Sequence, residues 1–322
     1  MIVESNNVNI EAENAKLKKE VEHLKLMCAE LEATNSNLVV ATWRERDMKK
    51  QLKDTLDELQ STKELVETQN KRITESINYS RKIQMAINAT ETDLQYILPK
   101  SFILYKPKDV ISGDFPWFYK KNNYVYLAAV DCTGHGVPGA MMSMIGNLLL
   151  NDITNSEDNF TPSEILIKLH QAVVKTLKQD IEGNNSSDGM DVALVRLNLN
   201  TNELLFAGAH RPLLFQRNGI IEQISGDKFP IGGTQYKGKN NFKDSELSLQ
   251  KNDRLFLYSD GLPDQIGGLE GRKLMNKQIK DSLETHKNGN FSDTKKIIED
   301  LFVHWKGNHK QIDDVLLIGF EI

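Results

Sequence analysis

Tyr124-Val125-Tyr126-Leu127-Ala128-Ala129-Val130 runs straight into Asp131-Cys132-Thr133-Gly134-His135-Gly136-Val137-Pro138. Seven uncharged residues rich in Val, Tyr and Ala read as a buried strand, and the Asp-plus-Gly cluster marks its end. An Asp at the tip of an apolar strand points out of a rigid sheet, and the neighbouring glycines let backbone approach whatever sits there. The same texture recurs on either side. Apolar runs at 102–105, 192–197, 204–206, 212–215, 220–224, 254–258 and 315–320 read as further strands. Helical patterns occupy 139–152, 162–178 (with Thr161 as N-cap), 272–284 and 293–306, and 184–189 reads as a loop. Strands at hairpin spacing with helices inserted in pairs predict an α+β domain built around antiparallel sheets.

Other carboxylates punctuate the strands as Asp131 does. Asp114 lies in Ser112-Gly113-Asp114-Phe115, Asp260 follows the 254–258 run and precedes Gly261, and Asp313 and Asp314 precede the last strand. Carboxylates gathered in one place repel unless something positive lies between them. Mg²⁺ or Mn²⁺ suits an all-oxygen donor set. Two such ions ~3.5–4 Å apart can share a carboxylate, activate water and clamp phosphoryl oxygens, which is the chemistry of phosphate-ester hydrolysis. Any one of these Asp residues, taken alone, is an ordinary turn residue. The information lies in the ordered set.

The first 98 residues differ in kind, with no Gly and no Pro. Stepping by seven from Ile10 gives Leu17, Leu24, Leu31, Leu38, Glu45, Leu52, Leu59, Val66 and Ile73. A second column runs Asn14, Val21, Cys28, Asn35, Thr42, Lys49, Leu56 and Lys63. A strict seven-residue period specifies a left-handed coiled coil, on the order of 100 Å long at 1.5 Å per residue. Leu at d with Asn or Lys at several a positions favours two parallel strands, hence a homodimer. Glu45, Lys49 and Lys63 interrupt the seam midway, as register tuning or as a softer segment. The expected organisation is a dimeric coiled coil over 1–80, a connecting helix over 81–99 and a catalytic domain over 100–322.

Bulk composition narrows the function classes. The 322 residues are 39% hydrophobic and 26% charged, too apolar for a disordered chain. The uncharged stretch 137–150 falls short of the ~20 apolar residues of a membrane span, so no membrane partner is expected. A net charge of −5 argues against a nucleic-acid partner. The N-terminus lacks a basic-then-apolar leader, and Cys28 and Cys132 fit no zinc spacing. A reducing, cytoplasmic setting is the expectation.

The ordered motifs resemble the SpoIIE/RsbU-like branch of the metal-dependent (PPM) serine/threonine protein phosphatases. Ser112-Gly113-Asp114-Phe115, 131–138, Ser259-Asp260-Gly261 and Asp313-Asp314-Val315 carry the likeness. Tyr105-Lys106-Pro107-Lys108-Asp109-Val110, 188–194 and Ala207-Gly208-Ala209-His210 support it. The resemblance covers about 88–322 and implies an α-β-β-α sandwich with two Mn²⁺ or Mg²⁺ ions at one end. It implies that Asp131 bridges both ions and that the Cys132 carbonyl is a ligand of the second ion. Asp260 and Asp313 would hold the first ion and Asp114 the second, with Asp314 replacing Asp313 if the last strand is shifted by one. The implied substrate is a phosphoserine or phosphothreonine on a regulatory protein of the STAS, anti-sigma-antagonist type, with control reaching the domain through the N-terminal helix.

The chain also departs from the pattern. Pro116-Trp117 follow Phe115 where many relatives have Tyr-Asp, and no Arg precedes Asp114 as the phosphate clamp does in the eukaryotic branch. His135 reads as a loop residue rather than a general acid. His210-Arg211 form a hairpin turn or approach the substrate phosphate. Cys132 is a poor nucleophile beside Asp131, whose charge raises its pKa. The rival reading is a coiled-coil scaffold with an inactive phosphatase-like domain, which predicts a missing ligand Asp. A cyclase or nuclease lacks both a phosphate-binding Gly-rich loop and a basic face.

Overall fold

With no helix breaker before Pro99, α1 runs unbroken over Ile2–Ile87 in the computed structural model, which describes residues 2–156, 159–181, 183, 186–233, 241–287 and 289–322. The chain divides into two units, 1–73 and 74–322. In the first, the seven-residue column of aliphatic side chains lies open to solvent, with Leu31 at 65% and Leu59 at 62% exposure. Leaving a Leu in water forgoes about 1.5–3 kcal/mol of burial. The column is thus an aliphatic stripe left in water along one helix.

The helix expected over 81–99 is in fact two. α1 stops at Ile87, and Thr90 in an extended conformation caps a separate helix α2, Glu91–Ile97, its hydroxyl accepting from the Asp93 N–H at 3.2 Å. A Thr hydroxyl competes for local backbone groups, so it starts a new helix better than it continues an old one. The break lets α2 turn Leu94, and Leu98 after it, into the core between the sheets.

Two antiparallel sheets follow. The first has the order β1-β13-β10-β6-β7, with β1 Ser101–Lys106, β6 Leu213–Arg217, β7 Ile220–Ile224, β10 Arg254–Tyr258 and β13 Val315–Glu321. The second has the order β2-β3-β4-β5-β9, with β2 Phe115–Lys121, β3 Tyr124–Cys132, β4 Gly189–Asn198, β5 Glu203–Ala209 and β9 Ser245–Ser248. A short β8, Ile231–Gly232, also pairs with β4. β11 (Ile266–Gly267) and β12 (Arg272–Lys273) form a separate ribbon. β2 is an edge strand, and that is why it tolerates Pro116 without losing a ladder bond.

Strand alternation sorts the core into three layers. Along β3, Val125, Leu127 and Ala129 face the layer between the sheets, while Tyr126, Ala128, Val130 and Cys132 face the outer layer. That outer layer is covered by α3 (Gly136–Ser156) and α4 (Pro162–Thr176), through Met142, Leu150, Ile165, Leu169 and Val173. On the far side, α6 (Met275–Thr285) and α7 (Phe291–Lys306) cover the first sheet through Ile279, Leu283, Ile298 and Phe302, with a one-turn α5 at Gly261–Asp264. The architecture is an α-β-β-α sandwich of antiparallel sheets.

The eight expected strands all form, and Thr161 caps α4 through a reciprocal bond with Glu164. Three expectations shift. Residues 115–121, left unassigned by the sequence because Pro116 and a run of Lys disguise them, form β2. The helix expected from Arg272 begins at Met275, since Arg272 and Lys273 pair with β11 instead. Of the expected loop 184–189, residues 184 and 185 lie outside the described residues, 186–188 are irregular and Gly189 opens β4.

Candidate active site

Strand register brings the first two carboxylates together. Asp131 stands directly opposite Asp191 across the β3–β4 ladder. Both share the parity of the residues facing the inter-sheet layer, Ala129 and Ala193 being two positions further in. Like charges facing each other on neighbouring strands destabilise a sheet. Asp260 arrives from β10: Ser259 is pinned to β13 by its N–H to the Leu316 carbonyl (3.0 Å) and by accepting the Leu316 N–H on Oγ (3.0 Å). The Asp260 N–H then donates to Asp131 Oδ2 at 3.3 Å. Gly261 packs so tightly here that a Cβ would lie 1.9 Å from the Asp314 carbonyl oxygen.

Asp313 and Asp314 sit at the entry to β13 and do different things. Asp314 is 2% exposed, and its two oxygens accept the Lys108 N–H (2.7 Å) and the Gly113 N–H (2.8 Å). Its carboxylate is fully engaged in holding the 108–113 segment. Asp313 faces the cleft instead. Asp114 is 3% exposed, and its Oδ2 is buried with no hydrogen-bond partner. A Cβ on Gly113 would stand 2.6 Å from the Gly134 oxygen and 3.3 Å from the Cys132 oxygen, so only glycine leaves these carbonyls open. The Cys132 thiol points the other way, into the outer core layer, and burial with nearby carboxylates pushes its pKa well up.

A cleft of about 420 Å³ is lined by Asp131, Asp191, Asp260, Asp313, Arg211 and His135 among others. Arg211 reaches in from the turn between β5 and β6. Its Nη2 lies 2.5 Å from Asp191 Oδ2, 2.8 Å from Asp260 Oδ2 and 3.8 Å from Asp131 Oδ2. His210 Nδ1 sits 3.0 Å from the other Asp191 oxygen. His135 pairs with Asp109 at 2.9 Å on the exposed rim, as a loop residue would.

The electrostatics are those of an acidic site short of positive charge. Burial first, then the Asp260 and Asp191 carboxylates, push the Asp131 pKa up to about 7 against the pull of Arg211. Asp114 is driven up by burial and by Asp131, and Asp313 by burial and by Asp260 and Asp314. Burial works against the Arg211 charge, yet Asp131, Asp260 and Asp191 together raise its pKa further. Among the described residues no three His, Cys, Asp or Glu side chains stand close enough to grip one ion as they are placed; the carboxylates are spread around the Arg211 guanidinium. The donor set nevertheless fits hard divalent cations. It is all oxygen, one buried carboxylate oxygen lacks a partner, and glycines keep side chains off the adjacent carbonyls.

Of the residues singled out from sequence, Asp131, Cys132, Asp260 and Asp313 line this cleft, Asp114 is buried beside Asp131, and Asp314 serves the backbone. Asp191 was missed as a site residue. Its signal was present, an Asp opening a strand of the same alternating pattern as the one Asp131 closes, but pairing across strands is not visible in one sequence.

The model of the Stage II sporulation protein E (SpoIIE) family matches residues 121–322. The chain belongs to the SpoIIE family. The family match opens after Asp114. The chain is 24% identical over 225 residues to phosphoserine phosphatase RsbP of Bacillus subtilis (strain 168), covering 68% of this chain and 51% of RsbP. It is 25% identical over 190 residues to phosphoserine phosphatase RsbU of the same strain, covering 56% and 53%. It thus spans about half the length of these curated relatives. The solved SiaA-PP2C domain of Pseudomonas aeruginosa aligns at a TM-score of 0.71 with 28% identity, over 79% of this chain and 98% of that domain.

A carboxyl whose folded pKa lies above its unfolded value keeps a proton that the unfolded chain has already released. Stability of the metal-free SpoIIE-family chain should therefore fall as pH rises from about 4, the unfolded Asp value, to about 7, the Asp131 value. Urea unfolding in chelator across that window should show the fall, and Asp131→Asn should flatten it. Equal slopes for the two proteins would contradict this electrostatic picture.

Proposed function

We propose that the chain is a metal-dependent protein serine/threonine phosphatase acting on a phosphoserine or phosphothreonine of a regulatory protein. The observation that carries this reading is the convergence of strand-end carboxylates from β3, β4, β10 and the entry to β13 on one cleft. In this reading Asp131, Asp260 and Asp313 would hold one Mn²⁺ or Mg²⁺ ion, and Asp131, Asp114 and the Cys132 carbonyl would hold a second. When bound, such ions supply an acidified water nucleophile and neutralise phosphoryl charge. The protein's part is to hold the carboxylates at a rigid sandwich end, to keep Gly113 and Gly134 free of side chains, and to expose the cleft to a protein substrate. Asp314 keeps the 108–113 segment, and with it Asp114, in place.

A phosphoserine substrate fits the names of RsbP and RsbU, both phosphoserine phosphatases; that its carrier is a regulatory protein of the STAS, anti-sigma-antagonist type rests on the motif resemblance alone. A cytoplasmic setting suits the chain, in which no described helix is long and apolar enough to cross a membrane. The inactive-scaffold alternative loses ground because Asp114, Asp131, Asp260 and Asp313 are all present and gathered at one end of the sandwich.

The same reading makes α1 both dimer seam and control element. Its exposed aliphatic column supports a parallel two-stranded coiled coil. Its last turn supports coupling to the cleft. Gln84, 5% exposed, donates to the Ser112 carbonyl (2.6 Å) and Ser143 Oγ (2.8 Å) and accepts the Ser112 N–H (3.2 Å). Ser112 is two residues from Asp114, so a turn of this helix would be felt by the acidic cluster.

Three measurements test the parts separately. Phosphate release from phosphoserine proteins should require Mn²⁺ or Mg²⁺, stop on chelation, and fall at least about 1000-fold in Asp131→Asn; metal-independent turnover would sink the phosphatase reading. Mild oxidation should crosslink wild type through Cys28, an exposed a-position residue, and not Cys28→Ser. A wild-type chain that stays monomeric by ultracentrifugation would remove the parallel dimer. Gln84→Ala leaves the buried Ser112 backbone groups unpaired, a cost of about 1–3 kcal/mol. It should change the metal concentration needed for half-maximal activity severalfold, and an unaltered metal dependence would end the coupling idea.

A further inference from the structure

The Arg211 guanidinium stands where the described carboxylates of the cleft converge. It touches Asp191 through both Nε (3.2 Å) and Nη2 (2.5 Å), whereas toward Asp260 and Asp131 it offers Nη2 alone, at 2.8 and 3.8 Å. Asp191 is thus its anchor, and the other two are contacts of one nitrogen. The backbone beneath it is rigid. Arg211 N–H donates to the Ala209 carbonyl (2.7 Å), and His210 takes a positive φ of 58° with its N–H on the Asp227 carbonyl (2.9 Å). The Arg211 carbonyl is wedged so closely that a Cβ on Gly208 would lie 2.2 Å from it and one on Gly226 2.6 Å. The side chain, by contrast, borders open space on two sides. Arg211 and Asp260 form the partition between the acidic cleft and an adjoining cleft of about 510 Å³ lined by Pro212, Gln223, Lys228 and Tyr258 among others.

These observations define a cation that is fixed at its base, tied to Asp191 through two nitrogens, and held through one nitrogen to Asp260 at 2.8 Å and to Asp131 at 3.8 Å, the two carboxylates assigned above to divalent ions. A guanidinium and a metal cannot share the same oxygens of Asp131 and Asp260 without like-charge repulsion. Arg211 must therefore yield them when the site is loaded, and its fork, still tied to Asp191, is left at the cleft wall with donors to spare. Phosphate is the ligand class that such a planar donor fork matches.

We propose that Arg211 is an exchangeable counter-cation, neutralising Asp131 and Asp260 in the metal-free protein and turning to the phosphoryl oxygens of the substrate once divalent ions take those carboxylates. Asp191 is its positioning residue. The consequence is an ordered site, in which phosphate is captured only after metal has released the guanidinium. The phosphate half of this proposal rests on the phosphatase reading, and the metal half does not.

The test uses the full chain and Arg211→Gln, with Arg211→Lys as the variant that keeps the charge but loses the fork. Calorimetric titration of chelator-stripped protein with Mn²⁺ should show Arg211→Gln binding at least about threefold more tightly than wild type, because its competitor is gone. The metal-free Arg211→Gln should melt lower than wild type, and the gap should narrow on adding Mn²⁺. Inorganic phosphate should bind the Mn²⁺-loaded wild type but not the stripped protein, and at least about tenfold more weakly in Arg211→Gln, with Arg211→Lys between. Mn²⁺ affinity that is unchanged or weaker in Arg211→Gln overturns the exchange, and phosphate affinity unaffected by the substitution overturns the clamp. A wild type that binds Mn²⁺ and phosphate as described yet hydrolyses no phosphoester would defeat the phosphatase reading while leaving the role of Arg211 standing.

Discussion

Mutual repulsion among carboxylates at one end of the inter-sheet layer is the constraint on which the site depends. β3 and β4 are paired so that Asp131 and Asp191 must face each other, and Asp260 is delivered to the same point by the β10–β13 pairing. A sheet does not tolerate such a cluster without a compensating cation. In the metal-free chain that cation is Arg211. The fold therefore stores an unfavourable charge arrangement at one end of an otherwise apolar sandwich, and that arrangement is the basis of the proposed divalent-ion site.

The rest of the domain keeps this arrangement from relaxing. Three apolar layers, one between the sheets and one under each helix pair, make the strand ends rigid. Asp314 and Ser259 spend their polar atoms on backbone groups, fixing the segments that carry Asp114 and Asp260. Adjacent residues thus divide the labour. At the entry to β13, Asp313 faces the cleft while Asp314 is buried as a backbone clamp. The two-residue period of β3 sends the Cys132 thiol into the core while its carbonyl stays at the rim of the site.

The two units illustrate different ways of using apolar surface. In 74–322 strand alternation buries the sheet faces in three apolar layers, and the break at 88–90 allows α2 to contribute Leu94 to the central one. In 1–73 a heptad column of Leu, Ile and Val is left in water, the observation on which the proposed two-stranded coiled coil rests. Gln84, in the last turn of α1, is where the long helix touches the acidic end of the sandwich through Ser112.

Much of this was legible in the residues themselves. Local pattern determines local structure: period-two runs became strands, the Gly- and Pro-free heptads became one helix, and Thr161 capped α4 because its hydroxyl and Glu164 are three residues apart. The strand-end Asp residues were legible for the same reason, since Asp131 and Asp260 each close an apolar run ahead of a glycine and Asp114 and Asp313 each stand at the start of one. What the order of amino acids could not disclose was every fact that depends on which strands lie side by side. The partnership of Asp131 with Asp191, the entry of Arg211 from the β5–β6 turn and the diversion of Asp314 to backbone duty all arise from contacts between residues 20 to 206 positions apart. Such pairing is chosen by the packing of whole faces, and only the folded chain expresses it.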